Sequence, residues 1–192
     1  MKIERVVSQQ PLPIDAKKVF EGIMFDVYQW EQEGYDGKMR TFEKIKRPDT
    51  ALVIPFTEDG KIIVANQEQP GKSPFVGLVG GRIDKDEDPL DAAKRELLEE
   101  TGYEAKEWKL FDAQQPVSKI EWTIYTFIAK GCKKVADQDL DGAEKVELRF
   151  VSVDDFLEEV LKMEFRDQEL KFRVMEAKLD PVKMEELKNQ FK

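Results

Sequence analysis

Apolar positions recur along the chain with two different periods. Over residues 19–46 large apolar residues alternate with polar ones on either side of Asp36-Gly37, and this pattern predicts a hairpin or meander. Met24, Tyr28 and Trp30 share one parity while Phe25 and Val27 share the other, so both faces of the first strand carry large apolar groups. Such a strand either packs on a partner or is covered on both sides within one subunit. Residues 51–56 and 61–65 are short apolar runs separated by Thr57-Glu58-Asp59-Gly60, which predicts a second hairpin. Residues 75–80 read as a glycine-rich strand, where small residues let backbone approach a metal or phosphate. Residues 108–114, 122–129 and 146–151 alternate as further strands, with Pro116 in the loop between the first two.

Helical periodicity takes over at 89–100, 154–163, 167–177 and 181–191, the last with Asp180 as its N-cap ahead of Pro181. Strands alternating with one long helix, then more helix, fit an α/β fold, an α/β/α sandwich. The chain divides into a β-rich segment, 1–48, and a second unit, 49–192, that carries the C-terminal helices. Those helices read as scaffold.

The helix at 89–100 is the best specified. Asp88 suits the N-cap, Pro89 the first helical position and Gly102 the left-handed residue beyond the end. Leu90, Ala93 and Leu97 form its apolar stripe, while Glu96, Glu99 and Glu100 share another face. In an arbitrary Glu-rich helix such a face is simply solvated. Like charges at these spacings cost a few tenths of a kcal/mol per pair, so a compensating cation is expected: Arg95, or a divalent metal. An oxygen-only ligand set suits Mg²⁺ or Mn²⁺ rather than zinc.

Composition narrows the chemistry. The 192 residues contain no histidine, so acid–base work falls mainly to carboxylates. A formal charge of −9 argues against a nonspecific nucleic-acid or anionic-membrane binder. No apolar run approaches the ~20 residues of a transmembrane helix, and the N-terminus is not built as a secretory signal. The single cysteine, Cys132, rules out an internal disulfide and is compatible with a cytoplasmic setting. It reads as a small strand-end residue.

The spacing around the helix is Gly81, five residues, Glu87, seven residues, Arg95-Glu96-Leu97, one residue, Glu99-Glu100, one residue, then Gly102-Tyr103. This resembles the signature of the Nudix hydrolases: all seven fixed residues match, and Tyr103 alone departs, standing where an aliphatic residue is usual. The resemblance implies a mixed sheet between helices, and attack by a metal-activated water on a nucleoside diphosphate linked to another group. It implies Glu96 and Glu100 as principal ligands of Mg²⁺ (or Mn²⁺), Glu99 as a further ligand or orienting group, and the Gly80 carbonyl as a backbone ligand. Arg95 pins a carboxylate and Glu87 stands behind the ligands, with Gly81 and Gly102 structural. Counting back from Phe150-Val151-Ser152 places Glu144 where ADP-ribose pyrophosphatase-like members carry a loop glutamate, making it the candidate base or extra ligand. An exposed acidic loop is the plainer reading.

The layout, a β segment ahead of the signature and a proline after it, resembles the ADP-ribose and nucleoside diphosphate sugar branch, where the N-terminal sheet packs across a homodimer. Arg82, Gln69 and Glu121 are the substrate-side candidates, with Lys72 as a further cation and Trp30 and Phe25 as aromatics able to stack on a base. Three departures are visible: Pro116 comes early, Gln67-Glu68-Gln69 lacks the usual arginine, and Leu78-Val79-Gly80-Gly81 lacks a usual proline. Alternatives are a broad-specificity or dinucleotide-directed Nudix hydrolase, or a non-catalytic ligand-binding domain.

Overall fold

The computed structural model describes residues 3, 5–8, 10–142 and 144–191. Its first sheet contains β1 (Lys17–Glu21), β2 (Asp26–Glu33) and β3 (Met39–Lys46) as an antiparallel meander turning at Gly37, with the short β10 (Ile120–Glu121) parallel to β3. Trp30 is buried and stacks on Phe42 at 6.1 Å, so it belongs to the core of this sheet and is not free to stack on a base.

The second sheet is built on β4 (Thr50–Thr57) and β11 (Ile124–Lys134), parallel neighbours at its centre. β5 (Ile62–Glu68) and β12 (Lys145–Val151) extend it on one side, and β9 (Glu107–Gln114) and β8 (Tyr103–Glu104) pair with β11 on the other. Strand parity then assigns the two faces. Ala51 and Val53 pack with Ala93 and Leu97 of α1 (Pro89–Thr101), whereas Ile54 and Phe56 pack with α2 (Val153–Val160), α3 (Gln168–Leu179) and α4 (Pro181–Phe191). Because both faces are covered, β4 reads as a continuous apolar run rather than an alternating one. The result is the expected α/β/α sandwich.

Two strands differ from the sequence reading. The segment 75–80 is not one strand but two, β6 (Phe75–Gly77) on β5 and β7 (Val79–Arg82) on β4. The chain changes partner at buried Leu78, whose carbonyl accepts from the Gln67 side chain at 3.2 Å. The strand expected at 122–129 runs Ile124–Lys134 instead: at its start Thr123 N–H is taken by the Asp49 carboxylate at 2.8 Å and Trp122 Nε1 by Thr50 at 3.0 Å, and at its end it continues past 129 to pair with β8.

Candidate active site

Local rules place α1 and its neighbours position its glutamates. Asp88 Oδ1 accepts from Leu90 N–H at 2.9 Å, and Gly102, at φ 75°, ends the helix with its N–H donating to Leu98 O at 2.7 Å. The loop after β11 then docks on this helix end. Val135 and Ala136 N–H both reach Gly102 O, Asp139 N–H reaches Glu99 O at 2.8 Å, and the Gln138 amide reaches Glu100 O at 2.6 Å. Carbonyls left over at the C-terminus of α1 thus anchor the acidic loop. The loop carries Glu144 to the same cavity, of about 670 Å³, that Glu96, Glu99 and Glu100 line.

Arg95 fastens the carboxylates from one side. Its Nε and Nη2 donate to both oxygens of Glu87 at 3.0 Å, Nη1 donates to Glu96 at 2.8 Å and Glu99 at 3.1 Å, and Nη2 also reaches Arg82 O at 2.9 Å. The hydrogen-bonded Arg95 fork holds Glu87 below the usual carboxylate range, and Glu87 in turn accepts from Asp84 N–H at 2.9 Å. A Cβ on Gly81 would lie 2.6 Å from the Glu96 carboxylate, so a side chain there would push Glu96 from its place beside Arg95. Glu100 is only 6% exposed and takes the Gly80 N–H at 3.0 Å. Burial pushes its carboxyl up to about 8, with Glu96, Glu144 and Glu99 adding repulsion against the single Gly80 hydrogen bond. Burial also raises Glu96, against the pull of Arg95.

This donor set fits a divalent cation. The cavity gathers the carboxylate oxygens of Glu96, Glu99, Glu100 and Glu144, and a cation among them would offset the burial and mutual repulsion that raise the Glu100 carboxyl. Among the described residues no three acidic side chains form a ready-made cage. A small hard cation that takes part of its coordination from substrate phosphates and water does not require such a cage. The sign of the Glu100 shift gives a stability prediction. Folding keeps a proton that the unfolded chain releases from about 4.5 upward, so in chelator this contribution is full below about 4.5 and is lost as pH rises through about 8. Melting temperature in chelator is expected to fall across that window, and saturating Mg²⁺ or Glu100→Gln to flatten the fall; an unchanged slope in the variant would reject the assignment.

The remaining candidates divide. Gln69 donates to Glu144 at 3.4 Å and accepts from Lys72, and Arg82 lies on the cavity wall half-exposed, 3.6 Å from Asp84. Phe25 is partly exposed beside Arg47, and Gly80 and Gly81 line the cavity. Glu121 requires correction: it neither lines this cavity nor lies on an exposed strand. It is 6% exposed, paired with the buried Lys44 at 2.8 Å and with Arg5 at 3.2 Å, and it ties the first sheet to the N-terminal residues. Burial pushes its carboxyl up, yet Lys44 and Arg5 together bring it below the usual range. Cys132 is buried, and burial raises its thiol to about 12.

Sequence reading missed Arg47. It lines the carboxylate cavity with its guanidinium 4.4 Å over the Trp122 ring, touching only Pro48 O at 3.3 Å and Thr50 Oγ1 at 3.5 Å through polar contacts. Among the described residues it forms no ion pair, and desolvation lowers its pKa. Asp49 offsets only part of that cost, so an arginine so placed is suited to receive an anion. No periodicity signals this, since the contact depends on the Trp122 loop folding back onto the start of β4.

The family model of the NUDIX domain matches residues 46–174, which include all of these carboxylates and the loop bearing Glu144. The chain belongs to the Nudix family. It is 30% identical over 175 residues to an ADP-ribose pyrophosphatase of Bacillus subtilis (strain 168), covering 90% of this chain and 95% of that protein. It is also 31% identical over 158 residues to a methanol dehydrogenase activator of Bacillus methanolicus, covering 80% and 85%. A crystal structure of an ADP compounds hydrolase superposes with a TM-score of 0.69 at 20% identity, covering 91% of this chain and 96% of the other, and shares the fold. Nudix hydrolases generally use divalent metals, in keeping with the oxygen donors of α1. The matched region begins at the end of β3, so nearly all of the first sheet precedes it.

Proposed function

We propose that this protein hydrolyses the diphosphate of a nucleoside diphosphate linked to another group, ADP-ribose or a related nucleotide sugar, with Mg²⁺ or Mn²⁺ as cofactor. The observation that carries the reading is the convergence of Glu96, Glu99, Glu100 and Glu144 on one cavity edged by Arg47, which forms no ion pair among the described residues. Glu96 and Glu100 hold the cation, with the Gly80 carbonyl as a backbone ligand and Glu99 as a further ligand or orienting group. A cation bound there neutralises diphosphate oxygens and makes water a better nucleophile. Arg95 keeps Glu96 and Glu99 in position, so the ligands need no reorganisation when substrate arrives. Glu144 accepts the proton of the attacking water, and Gln69 orients Glu144. Arg47 meets the diphosphate, Arg82 adds positive charge on the cavity wall, and Lys72 adds more through its contact with Gln69. Water oxygen bonds to one phosphorus as its bond to the bridging oxygen breaks, giving a nucleoside monophosphate and a phosphorylated second product.

The similarity to the ADP-ribose pyrophosphatase supports this substrate class. The test is a panel of ADP-ribose, other sugar nucleotides and dinucleotides, incubated with Mg²⁺, with Mn²⁺ and with chelator, reading both products. Chelator-sensitive cleavage with ADP-ribose preferred is expected. Preference for a dinucleotide would move the enzyme to another substrate branch, and no cleavage on the whole panel would reject hydrolysis.

Residues 1–48 form the dimerising unit in this reading, and 49–192 the catalytic one. Val19, Phe20, Phe25 and Met39 are exposed on or beside the first sheet, apolar surface that a second copy would cover. Light scattering is expected to give twice the 22.3 kDa chain mass. A monomer would reject the dimer. Among the described residues no helix is long and apolar enough to cross a membrane.

A further inference from the structure

Beside the carboxylate cavity lies a second of about 410 Å³, and the two share Arg47, Thr50, Gln67, Gln69 and Gly80. The second is mostly apolar. Leu52, Leu78 and Ile124 come to it from the central sheet, Val117 and Trp122 from the segment after β9, and Phe75 from β6. Two guanidinium groups lie over its rings, Arg47 at 4.4 Å from the Trp122 centroid and Arg166 at 3.6 Å from that of Phe75. The second stack is locked by the backbone: Val76 N–H donates to Glu164 O and Arg166 N–H to Val76 O, both at 2.9 Å, which docks the α2–α3 loop on β6. The next residue, Asp167, caps α3 by accepting from Leu170 N–H at 2.8 Å, and it too lines the cavity.

We propose that this cavity is the nucleobase subsite and that Asp167 selects a base bearing an exocyclic amine, adenine over hypoxanthine. The proposal rests on the nucleotide-hydrolase reading given above. Aromatic rings and flat guanidinium planes receive the π-face of a base, and the apolar walls of Leu52, Leu78, Val117 and Ile124 suit its ring system better than the hydroxyls of a sugar. An ionised carboxylate only accepts hydrogen bonds. Placed at the C6 substituent of a bound purine on the side away from N1, Asp167 pairs with the amine N–H of adenine and opposes the carbonyl oxygen that hypoxanthine carries in its place, out of reach of the N1–H donor of hypoxanthine. Arg47, common to both cavities, then meets the phosphates as they pass from the base toward the carboxylates of α1.

The test uses the full-length chain and two pairs of compounds that differ in the amine: AMP and IMP for binding by calorimetry, and ADP-ribose and its hypoxanthine analogue for hydrolysis. AMP is expected to bind about tenfold or more tightly than IMP, with the same preference in KM. Asp167→Asn keeps a good helix cap and gains an amide donor for a carbonyl, so the preference is expected to fall to about twofold or less. Trp122→Ala should weaken both nucleotides alike, by about five- to a hundredfold. Equal binding of AMP and IMP to the wild-type chain, or an unchanged preference in Asp167→Asn, would overturn the proposal. Selective AMP binding that Asp167→Asn abolishes, without hydrolysis of ADP-ribose, would keep the subsite and remove the hydrolase reading. Hydrolysis with no preference between the bases would do the reverse.

Discussion

Glu100→Gln is expected to lower kcat about a thousandfold while leaving the fold intact. The substitution preserves shape, and the amide oxygen can still accept the Gly80 N–H that Glu100 takes at 3.0 Å. It removes the one thing the proposed chemistry needs, a negative oxygen at the most buried point of the acidic cavity. Burial already holds the Glu100 carboxyl near 8, so a neutral side chain suits the metal-free protein at least as well as the native one does. The variant should therefore melt no lower than wild type in chelator while its turnover collapses. Steady-state rates beside thermal melts separate the two effects. Near-wild-type turnover would remove Glu100 from the metal site, and a collapsed melting temperature would assign it to the scaffold.

Glu144→Gln is expected to lower kcat about a hundredfold with little change in KM. Glu144 stands on the loop rather than on α1, within 3.4 Å of the Gln69 amide and close enough to Glu96 and Glu100 to raise both carboxyls. A proton acceptor acts in the transition state, so its loss appears in kcat, whereas loss of a ligand binding substrate and transition state equally appears in KM. Comparing the two constants decides the role. An unchanged kcat would move the base to another carboxylate of this loop, of which Asp139 and Asp141 also line the cavity.

The parts of this site legible in the sequence are those set by neighbours along the chain. Asp88, Pro89 and Gly102 mark the ends of α1 because capping is local, and the helix extends only one residue beyond the expected 89–100. The sandwich was legible because the apolar run at 51–56 calls for cover on both faces and the helical segments supply it. What escaped depends on distant contacts. Residues 75–80 carry no mark of the switch from β5 to β4, since the switch follows from where those two strands diverge. Glu121 looks like one acid among many until Lys44 and Arg5 are brought to it from far along the chain. Arg47 and Arg166 look like surface charges until Trp122 and Phe75 lie beneath them. Glu144 is reached only through the resemblance to ADP-ribose pyrophosphatase-like members, by counting back from Phe150-Val151-Ser152, and nothing in that count reveals the anchoring of its loop by Gln138 and Asp139 to the end of α1.

The central claim is that the glutamates of α1 hold a divalent cation, and the most direct test is Mn²⁺ binding followed by electron paramagnetic resonance at pH 8. Wild-type protein is expected to bind Mn²⁺ saturably and to be displaced by excess Mg²⁺, with affinity reduced about ten- to a hundredfold in Arg95→Met, which loosens the carboxylates, and abolished in a folded Glu96→Gln, Glu100→Gln double variant. Equal Mn²⁺ binding by wild type and the double variant would contradict the account.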